Sequence, residues 1–209
     1  MNLELAEFFG RHYAPGRIAL VGATDLIGTL IRNGQAGLTP DGKPSWWSHA
    51  FLLGERRDDG RSDGSIYIYE SDLKLSVADW QVQNGVMESR LAKWCRDDIE
   101  YACVMGMALT ASERDRLLRD ALQYAYDEKR LRYPVGELFG TLWAILTRRL
   151  SKRNIFDDRQ AVQCSTFVRM CYRGIGRDLL DETVDLTHTN PEALYRSAAL
   201  DFREEWHRA

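Results

Sequence analysis

The chain has 209 residues, of which 28% are charged and 44% hydrophobic, and its formal net charge at pH 7 is −3. This length predicts a single domain over residues 1–209 that buries a full core. The mildly acidic balance, with basic residues interleaved among acids, argues against a nucleic-acid partner. The four cysteines, at 95, 103, 164 and 171, form neither CxxC pairs nor a dense framework. Neither a zinc site nor a disulfide scaffold is therefore expected.

The N-terminal segment, MNLELAEFFGRHYAPG, has no basic stretch followed by a long apolar run, so no secretory signal is expected. The longest apolar-rich stretch, LFGTLWAILTRRL at 138–150, is shorter than the roughly 18 residues that suggest a membrane span. These features predict a cytoplasmic protein without a membrane span. Non-classical export, as an effector or a phage protein, is the alternative.

The first half of the chain is predicted to be mostly β-structure. A short helix over 2–12 precedes a strand at 17–22 and a helix at 24–31, and the apolar side of that second helix comprises Leu26, Ile27, Leu30 and Ile31. After a Gly/Pro/Asp loop over 33–45 comes SWWSHAFLLGERRDDGRSDGSIYIYESDL, which predicts a β-hairpin. Its first strand is expected to alternate on one face with Trp47, His49, Phe51 and Leu53. Further β-like sequence follows.

The second half is predicted to be helical. LTASERDRLLRDALQYAYDEKR at 109–130 is amphipathic, and Thr110 with Glu113 fits a capping box. Further helices are expected over about 136–150, over QAVQCSTFVRMCYRG, and from Pro191. Residues near the C-terminus, including His207, are expected to fray. Strands followed by helices predict an α+β fold, in which an antiparallel sheet packs against helices.

Cys164 stands at the start of an apolar-periodic run that ends at Gly174. This pattern predicts that Cys164 lies in the first turn of a helix. Unpaired backbone N–H groups and the positive end of the helix dipole would stabilise a thiolate there. The alternative is a buried cysteine that acts only as a small hydrophobic residue. A nucleophilic role for Cys164 requires a base.

Among the four histidines, His49 is the one inside a predicted strand. If Asp59–Gly60 forms a two-residue turn, the strands pair symmetrically about it and His49 lies directly opposite Glu70. A carboxylate in that place would fix the imidazole tautomer and raise its basicity. Asp63–Gly64 offers a competing turn with another register, and Asp72 is the alternative partner of the imidazole.

An ordered set of motifs resembles a known family. SHAFLL on one strand, YES on the next and QCSTFV on a late helix resemble the circularly permuted papain-like cysteine hydrolases of the NlpC superfamily, above all their YiiX-like branch. In the permuted chains the cysteine helix follows the histidine strand, as here. PGRIALVGATDLIGTLIR, GVMESRLAKW, RLRYPVGELFG and NPEALYRS resemble other segments of the family. The sequence departs from the family at Arg17, where aspartate is frequent, and at Phe51, where glycine is frequent.

The resemblance implies a permuted papain-like (NlpC-type) fold and acyl transfer without a metal or an organic cofactor. It implies Cys164 as nucleophile, His49 as base and Glu70 as the orienting carboxylate, with Asp72 as the fallback orienter. Candidates to hold the oxyanion or line the cleft are Gln163, Tyr69 and Trp47. The implied substrates are a peptide, a peptidoglycan fragment or an acyl lipid.

An amidase or peptidase of the cysteine type is the favoured function, and two alternatives remain. A lipid esterase or acyltransferase of the same fold would use the 138–150 helix, with its trailing RRLSKR, as an interfacial anchor. A catalytically silent binding domain would keep Cys164 as a core residue, and His49 would merely pack against Glu70.

Overall fold

The computed structural model describes residues 1–58, 60, 65–76, 81–126 and 159–208. The helix predicted over 136–150 and the turn predicted at Asp63–Gly64 lie outside the described residues. The helices are α1 Leu3–Arg11, α2 Leu26–Gly34, α3 Ala111–Tyr126, α4 Arg159–Gly174 and α5 Pro191–Tyr195. The strands are β1 Ile18–Ala23, β2 His49–Arg57, β3 Ser65–Ser76, β4 Gln81–Arg90, β5 Ile99–Gly106 and β6 Phe202–His207.

The six strands form one antiparallel sheet in the order β4-β3-β2-β1-β5-β6. The predicted α+β class, with an antiparallel sheet against helices, is confirmed. The expectation that the C-terminus frays is wrong, because β6 pairs with β5 and places His207 opposite Tyr101. Phe202 and Trp206 on β6 pack against the buried core, and this contact anchors the edge strand.

Two hydrophobic cores lie on opposite faces of the sheet, because successive side chains of a strand point to opposite faces. The α4-side core joins strand residues such as Leu52 and Tyr69 to α3 and α4. The α1-side core joins Phe51 and Leu53 to α1 and to the 3-10 turn Leu91–Trp94, hereafter the 91–94 turn. Full burial of each such large side chain contributes about 1.5–3 kcal/mol. β2 lies near the middle of the sheet and contributes to both cores.

The register of β2 and β3 differs from the prediction. β2 ends at Arg57 and β3 begins at Ser65, so residues 58–64 connect them in place of a two-residue turn. Leu52 pairs with Tyr69 and Leu53 with Ile68, and the register shifts between Leu53 and Arg56. Direct opposition of His49 and Glu70 is therefore wrong. Glu70 is level with Phe51 and diagonal to His49, on the same face of the sheet, a separation that long side chains span.

Two further predictions about apolar faces are wrong for some of their residues. On α2, Leu30 and Ile31 are half-buried as expected, but Leu26 is 70% exposed and Ile27 49% exposed. Gly28 is the buried residue of that helix. A side chain at Gly28 would bring its Cβ within 2.7 Å of the Ala23 carbonyl oxygen, so α2 approaches β1 through this glycine. Trp47 does not share the face of Phe51. It precedes β2 and packs into the α4-side core.

The start of α3 follows the predicted capping box. The backbone N–H of Glu113 donates to Thr110 Oγ1 at 3.2 Å, and the backbone N–H of Thr110 donates to Glu113 Oε2 at 2.8 Å. These reciprocal bonds satisfy two N–H groups that a helix end otherwise leaves unpaired. Within the described ranges no helix is long and apolar enough to cross a bilayer.

Candidate active site

A buried histidine–carboxylate pair links β2 to β3. His49 is the first residue of β2, and its Nε2 lies 3.0 Å from Glu70 Oε2. Glu70 is fully buried and His49 is 8% exposed. The contact is the one that the sequence predicted, although the two residues meet diagonally. A hydrogen bond to a carboxylate fixes which imidazole nitrogen carries the proton, so with Nε2 directed at Glu70 the nitrogen left for another partner is Nδ1.

Glu70 has two further partners, both from the 91–94 turn. Trp94 Nε1–H donates to Glu70 Oε2 at 2.9 Å, and Lys93 Nζ donates to Glu70 Oε1 at 2.7 Å. Lys93 Nζ also donates to Asp72 Oδ2 at 2.6 Å. The carboxylate that holds His49 is thus Glu70, and Asp72, the alternative orienter, pairs with Lys93.

The indole of Trp94 lies against the imidazole of His49. The ring centroids are 4.5 Å apart and the planes are inclined by 24°. Sequence reasoning assigned no role to Lys93 or Trp94. Neither periodicity nor spacing in GVMESRLAKW indicates that a short 3-10 turn brings both residues to the carboxylate.

Cys164 occupies a different place in its helix from the one predicted. α4 begins at Arg159, so Cys164 is the sixth residue of the helix and does not lie in its first turn. An α-helical residue at that depth donates its N–H to the carbonyl four residues earlier, so the open helix end does not lie at Cys164. Cys164 is 1% exposed and belongs to the α4-side core.

Cys164 and His49 are nevertheless coupled. His49 is the first residue of β2, so its ring lies at the end of the strand. There it forms a hydrogen bond with the Cys164 side chain. Burial alone would raise the pKa of Cys164, but the charge and hydrogen bond of His49, helped by the backbone of Ala50, lower it. Ser165 Oγ, 3.8 Å from Cys164 Sγ, acts in the same direction. Cys164 is therefore stabilised as a thiolate.

The pKa of His49 moves in the complementary direction. Burial alone would lower this pKa, but the negative charges and hydrogen bonds of Cys164 and Glu70 raise it from 6.5 to about 10. Burial alone would likewise raise the pKa of Glu70. The hydrogen bonds and positive charges of His49 and Lys93 outweigh the effect of burial and lower this pKa to about 2. These shifts favour an imidazolium at His49 beside an ionised Glu70, and the imidazolium in turn favours the thiolate form of Cys164.

The other cysteines differ from Cys164. The four form no disulfide with one another, and all are buried. Burial raises the pKa of Cys95 to about 11, and it also raises the pKa of Cys103 and Cys171. A thiol becomes nucleophilic as its thiolate, so the geometry distinguishes Cys164 from the three other thiols.

Two of the three candidate oxyanion residues, Tyr69 and Trp47, have side chains that the structure describes. Burial, followed by the charge of Glu88, raises the pKa of Tyr69 to about 12, and its hydroxyl, which accepts a hydrogen bond from Arg57 at 3.3 Å, is already engaged. Trp47 is fully buried, and its Nε1–H has no hydrogen-bond partner within the described ranges. Gln163 belongs to α4, but its side chain lies outside the described residues. In the part of the chain that the structure describes, no group of three or more His, Cys, Asp or Glu side chains could hold a metal ion.

Comparison of the chain with protein-family models gives no match, and comparison with curated proteins gives none either. The site itself consists of a buried cysteine whose pKa is lowered, a histidine that lowers it, and a carboxylate with three hydrogen-bond partners.

Proposed function

We propose that the chain is a cysteine-dependent hydrolase that acts by acyl transfer on an amide bond of a peptide or peptidoglycan fragment. Cys164 is the nucleophile, His49 the base and Glu70 the orienting carboxylate. One observation carries the proposal: the buried imidazole of His49 is coupled to Cys164 and lies 3.0 Å from Glu70. The likeness of SHAFLL, YES and QCSTFV to the permuted papain-like cysteine hydrolases supports the same roles and a fold of that type.

Acylation begins with the thiolate. Cys164 Sγ attacks the carbonyl carbon, a C–S bond forms, and the carbonyl π electrons move to the oxygen. When the tetrahedral intermediate collapses, the C–N bond breaks, and the imidazolium of His49 donates its proton to the leaving amine. Glu70 keeps the ring in place and stabilises its protonated form.

Deacylation uses the neutral imidazole that remains. His49 takes a proton from water, and the resulting hydroxide attacks the thioester carbonyl. The C–S bond then breaks and a carboxylic acid is released, while Cys164 and His49 return to the thiolate–imidazolium state. Trp47 has a buried donor without a hydrogen-bond partner among the described residues, so it is the oxyanion candidate that we favour.

A catalytically silent binding domain is the second candidate, and the burial of the nucleophile favours it. Cys164 is 1% exposed, so a substrate carbonyl reaches its sulfur only if neighbouring groups move. The burial of Cys103 and Cys171 shows that a cysteine serves as a small core residue elsewhere in the chain. The hydrogen bond between Cys164 and a protonated His49 favours the enzyme, because a cysteine that only fills the core needs no hydrogen-bonded, ionised partner.

Paired cysteine variants separate the two candidates. Cys171 lies on the same helix as Cys164 and is equally buried, so Cys171→Ala is a matched control for the loss of a buried sulfur. We expect Cys164→Ala to abolish turnover of a peptide amide, and Cys171→Ala to retain it. Both variants should lose a similar, small amount of stability in thermal melts, since little volume is removed. Wild type without turnover, together with strong destabilisation by Cys164→Ala alone, would favour the silent domain.

The bond that is cleaved is tested on the same preparations. Turnover of a peptide amide beside an acyl ester distinguishes the amidase from the lipid esterase or acyltransferase of the same fold. Co-sedimentation with vesicles tests the interfacial anchor proposed for that enzyme, whose segment at 138–150 lies outside the described residues. A cell-wall substrate would require export of the protein or its release from the cell.

A further inference from the structure

Glu70 is held by more groups than a carboxylate that only orients His49 requires. Its Oε2 accepts from Trp94 Nε1–H at 2.9 Å and faces His49 Nε2 at 3.0 Å. Its Oε1 accepts from Lys93 Nζ at 2.7 Å. The last contact places a positive charge directly behind the carboxylate that stabilises the imidazolium.

Charges alternate along this part of the site. His49 contacts Glu70, Glu70 contacts Lys93, and Lys93 contacts Asp72 at 2.6 Å. Lys93 is 31% exposed and Asp72 24% exposed, whereas Glu70 is fully buried. The outer two members therefore reach towards solvent and the inner two lie in the protein.

Trp94 acts on both members of the inner pair. Its ring stacks on the His49 ring at a centroid distance of 4.5 Å while its N–H donates to Glu70. An aromatic face attracts a cation, so the protonated imidazole is the better partner for the indole. The distances from Lys93 Nζ and from the Arg96 guanidinium carbon to the Trp94 ring centroid are each 5.3 Å.

We propose that Lys93 and Trp94 are positioning residues of the catalytic pair, an inference that rests on the proposed function. Trp94 holds the His49 ring and Glu70 Oε2 in one arrangement. Lys93, itself paired with Asp72, sets how much negative charge Glu70 presents to His49. Neither residue has to touch the substrate.

The charged groups around the catalytic pair decide the direction of the effect. Among the described residues these are Cys164 from α4, Glu70 and Asp72 from β3, and Lys93 from the 91–94 turn. Arg96 follows that turn and is itself paired with Asp98 and Asp25. Removing the charge of Lys93 leaves the site more negative, so both thiolate formation at Cys164 and proton loss from His49 move to higher pH. Removing the charge of Asp72 moves both to lower pH.

The contacts bound the size of the shift. Lys93 Nζ lies 2.7 Å from Glu70 Oε1, and Glu70 Oε2 lies 3.0 Å from His49 Nε2. For a charge one carboxylate away from the imidazole, an effective dielectric constant of about 20 with a reduction for solvent gives a shift of about 0.5–1 pH unit. A group that serves only to support the fold would change both titrations in no particular direction. The opposite signs expected for the two variants identify an electrostatic role.

The test measures the alkylation of Cys164 by iodoacetamide against pH, with the Cys164 peptide followed by mass spectrometry. Lys93→Met should raise the apparent pKa of alkylation by about 0.5–1 pH unit, and Asp72→Asn should lower it. Lys93→Arg, which keeps the charge, should stay near wild type. The double variant, with Lys93→Met and Asp72→Asn together, should return towards wild type, and this controls for loss of structure in either single variant.

The same experiment separates failure of this inference from failure of the proposed function. If the wild-type thiol titrates well below an ordinary cysteine, but the two variants shift it in the same direction or not at all, the role of Lys93 is refuted. If wild-type Cys164 titrates as an ordinary cysteine, the proposed function is overturned and this inference with it. The role of Trp94 is tested with Trp94→Phe, which keeps an aromatic ring and removes the N–H. We expect kcat to fall about tenfold with KM unchanged, as a lost hydrogen bond to a charged group predicts. An unchanged kcat would refute the role of Trp94.

Discussion

Replacing Glu70 with glutamine removes one charge from the centre of the site and turns one of its two acceptor oxygens into an NH2 donor. The side chain keeps its shape, and Lys93, which donates to Glu70 Oε1, keeps Asp72 as a partner. What is lost is the carboxylate 3.0 Å from His49 Nε2 that helps to raise the pKa of His49 to about 10. The imidazolium then lacks its buried counter-charge at the step in which it donates a proton to the leaving amine.

The magnitude follows from the contact. A buried hydrogen bond between charged groups contributes about 1.5–3 kcal/mol, which corresponds to a factor of roughly 10–100 in rate. We therefore expect kcat to fall by about that factor and KM to stay close to wild type, because Glu70 is buried away from any substrate. The basic limb of the kcat/KM profile should move to lower pH by about one to two units, since the folded-state pKa of His49 falls when its carboxylate is removed.

The assay is steady-state turnover of a peptide amide between pH 5 and about 10, with chemical denaturation alongside. Glu192→Gln is the matched control. Glu192 is 3% exposed and paired with Arg196 at 2.6 Å, so this variant also loses a buried, ion-paired carboxylate, but one that does not contact His49. If Glu70→Gln keeps its kcat within about twofold of wild type and its basic limb does not move, the orienting role of Glu70 is refuted.

Three other outcomes are expected. Iodoacetamide at neutral pH should modify Cys164 before Cys171, since burial raises the pKa of the latter whereas His49 lowers that of the former; peptide mapping that finds the reverse order contradicts the nucleophile assignment. The pKa of Glu70 in the folded protein is about 2, against an ordinary 4.5. Its contribution to the free energy of unfolding is therefore complete above about pH 4.5 and is lost as the pH falls towards 2. This contribution is at most about 3 kcal/mol. The free energies of unfolding of wild type and Glu70→Gln should converge over that window, and a constant difference would disprove the shift. Arg169→Met should cost about 3–5 kcal/mol in denaturant titrations, because the fully buried guanidinium pairs with Asp178 at 2.6 Å; an unchanged midpoint would show that the pair does not stabilise the fold.

The local elements of the fold could be predicted from sequence because their signals are local. The capping box at Thr110 and Glu113 and the alternation through Phe51 and Leu53 each depend on residues a few positions apart, and the structure bears them out. The chemical types of Cys164, His49 and Glu70, and their order along the chain, also came from sequence. Their catalytic roles are a proposal that this order and the contacts support.

Only the tertiary structure decided how these parts meet. β2 ends at Arg57 and β3 begins at Ser65, and the register of the two strands differs from the one that a two-residue turn would impose. A change of register moves every pair along the ladder. The exposure of Leu26 depends on which side of α2 approaches β1, and the sequence of the helix alone does not contain that information. Lys93 and Trp94 reach Glu70 because the short turn that follows β4 folds back against β3, a long-range contact that leaves no periodic pattern in the chain. The periodicity of a sequence indicates which face of a helix or strand is apolar. It does not indicate which other element packs against that face, and the contacts of the buried charge at Glu70 depend on this packing.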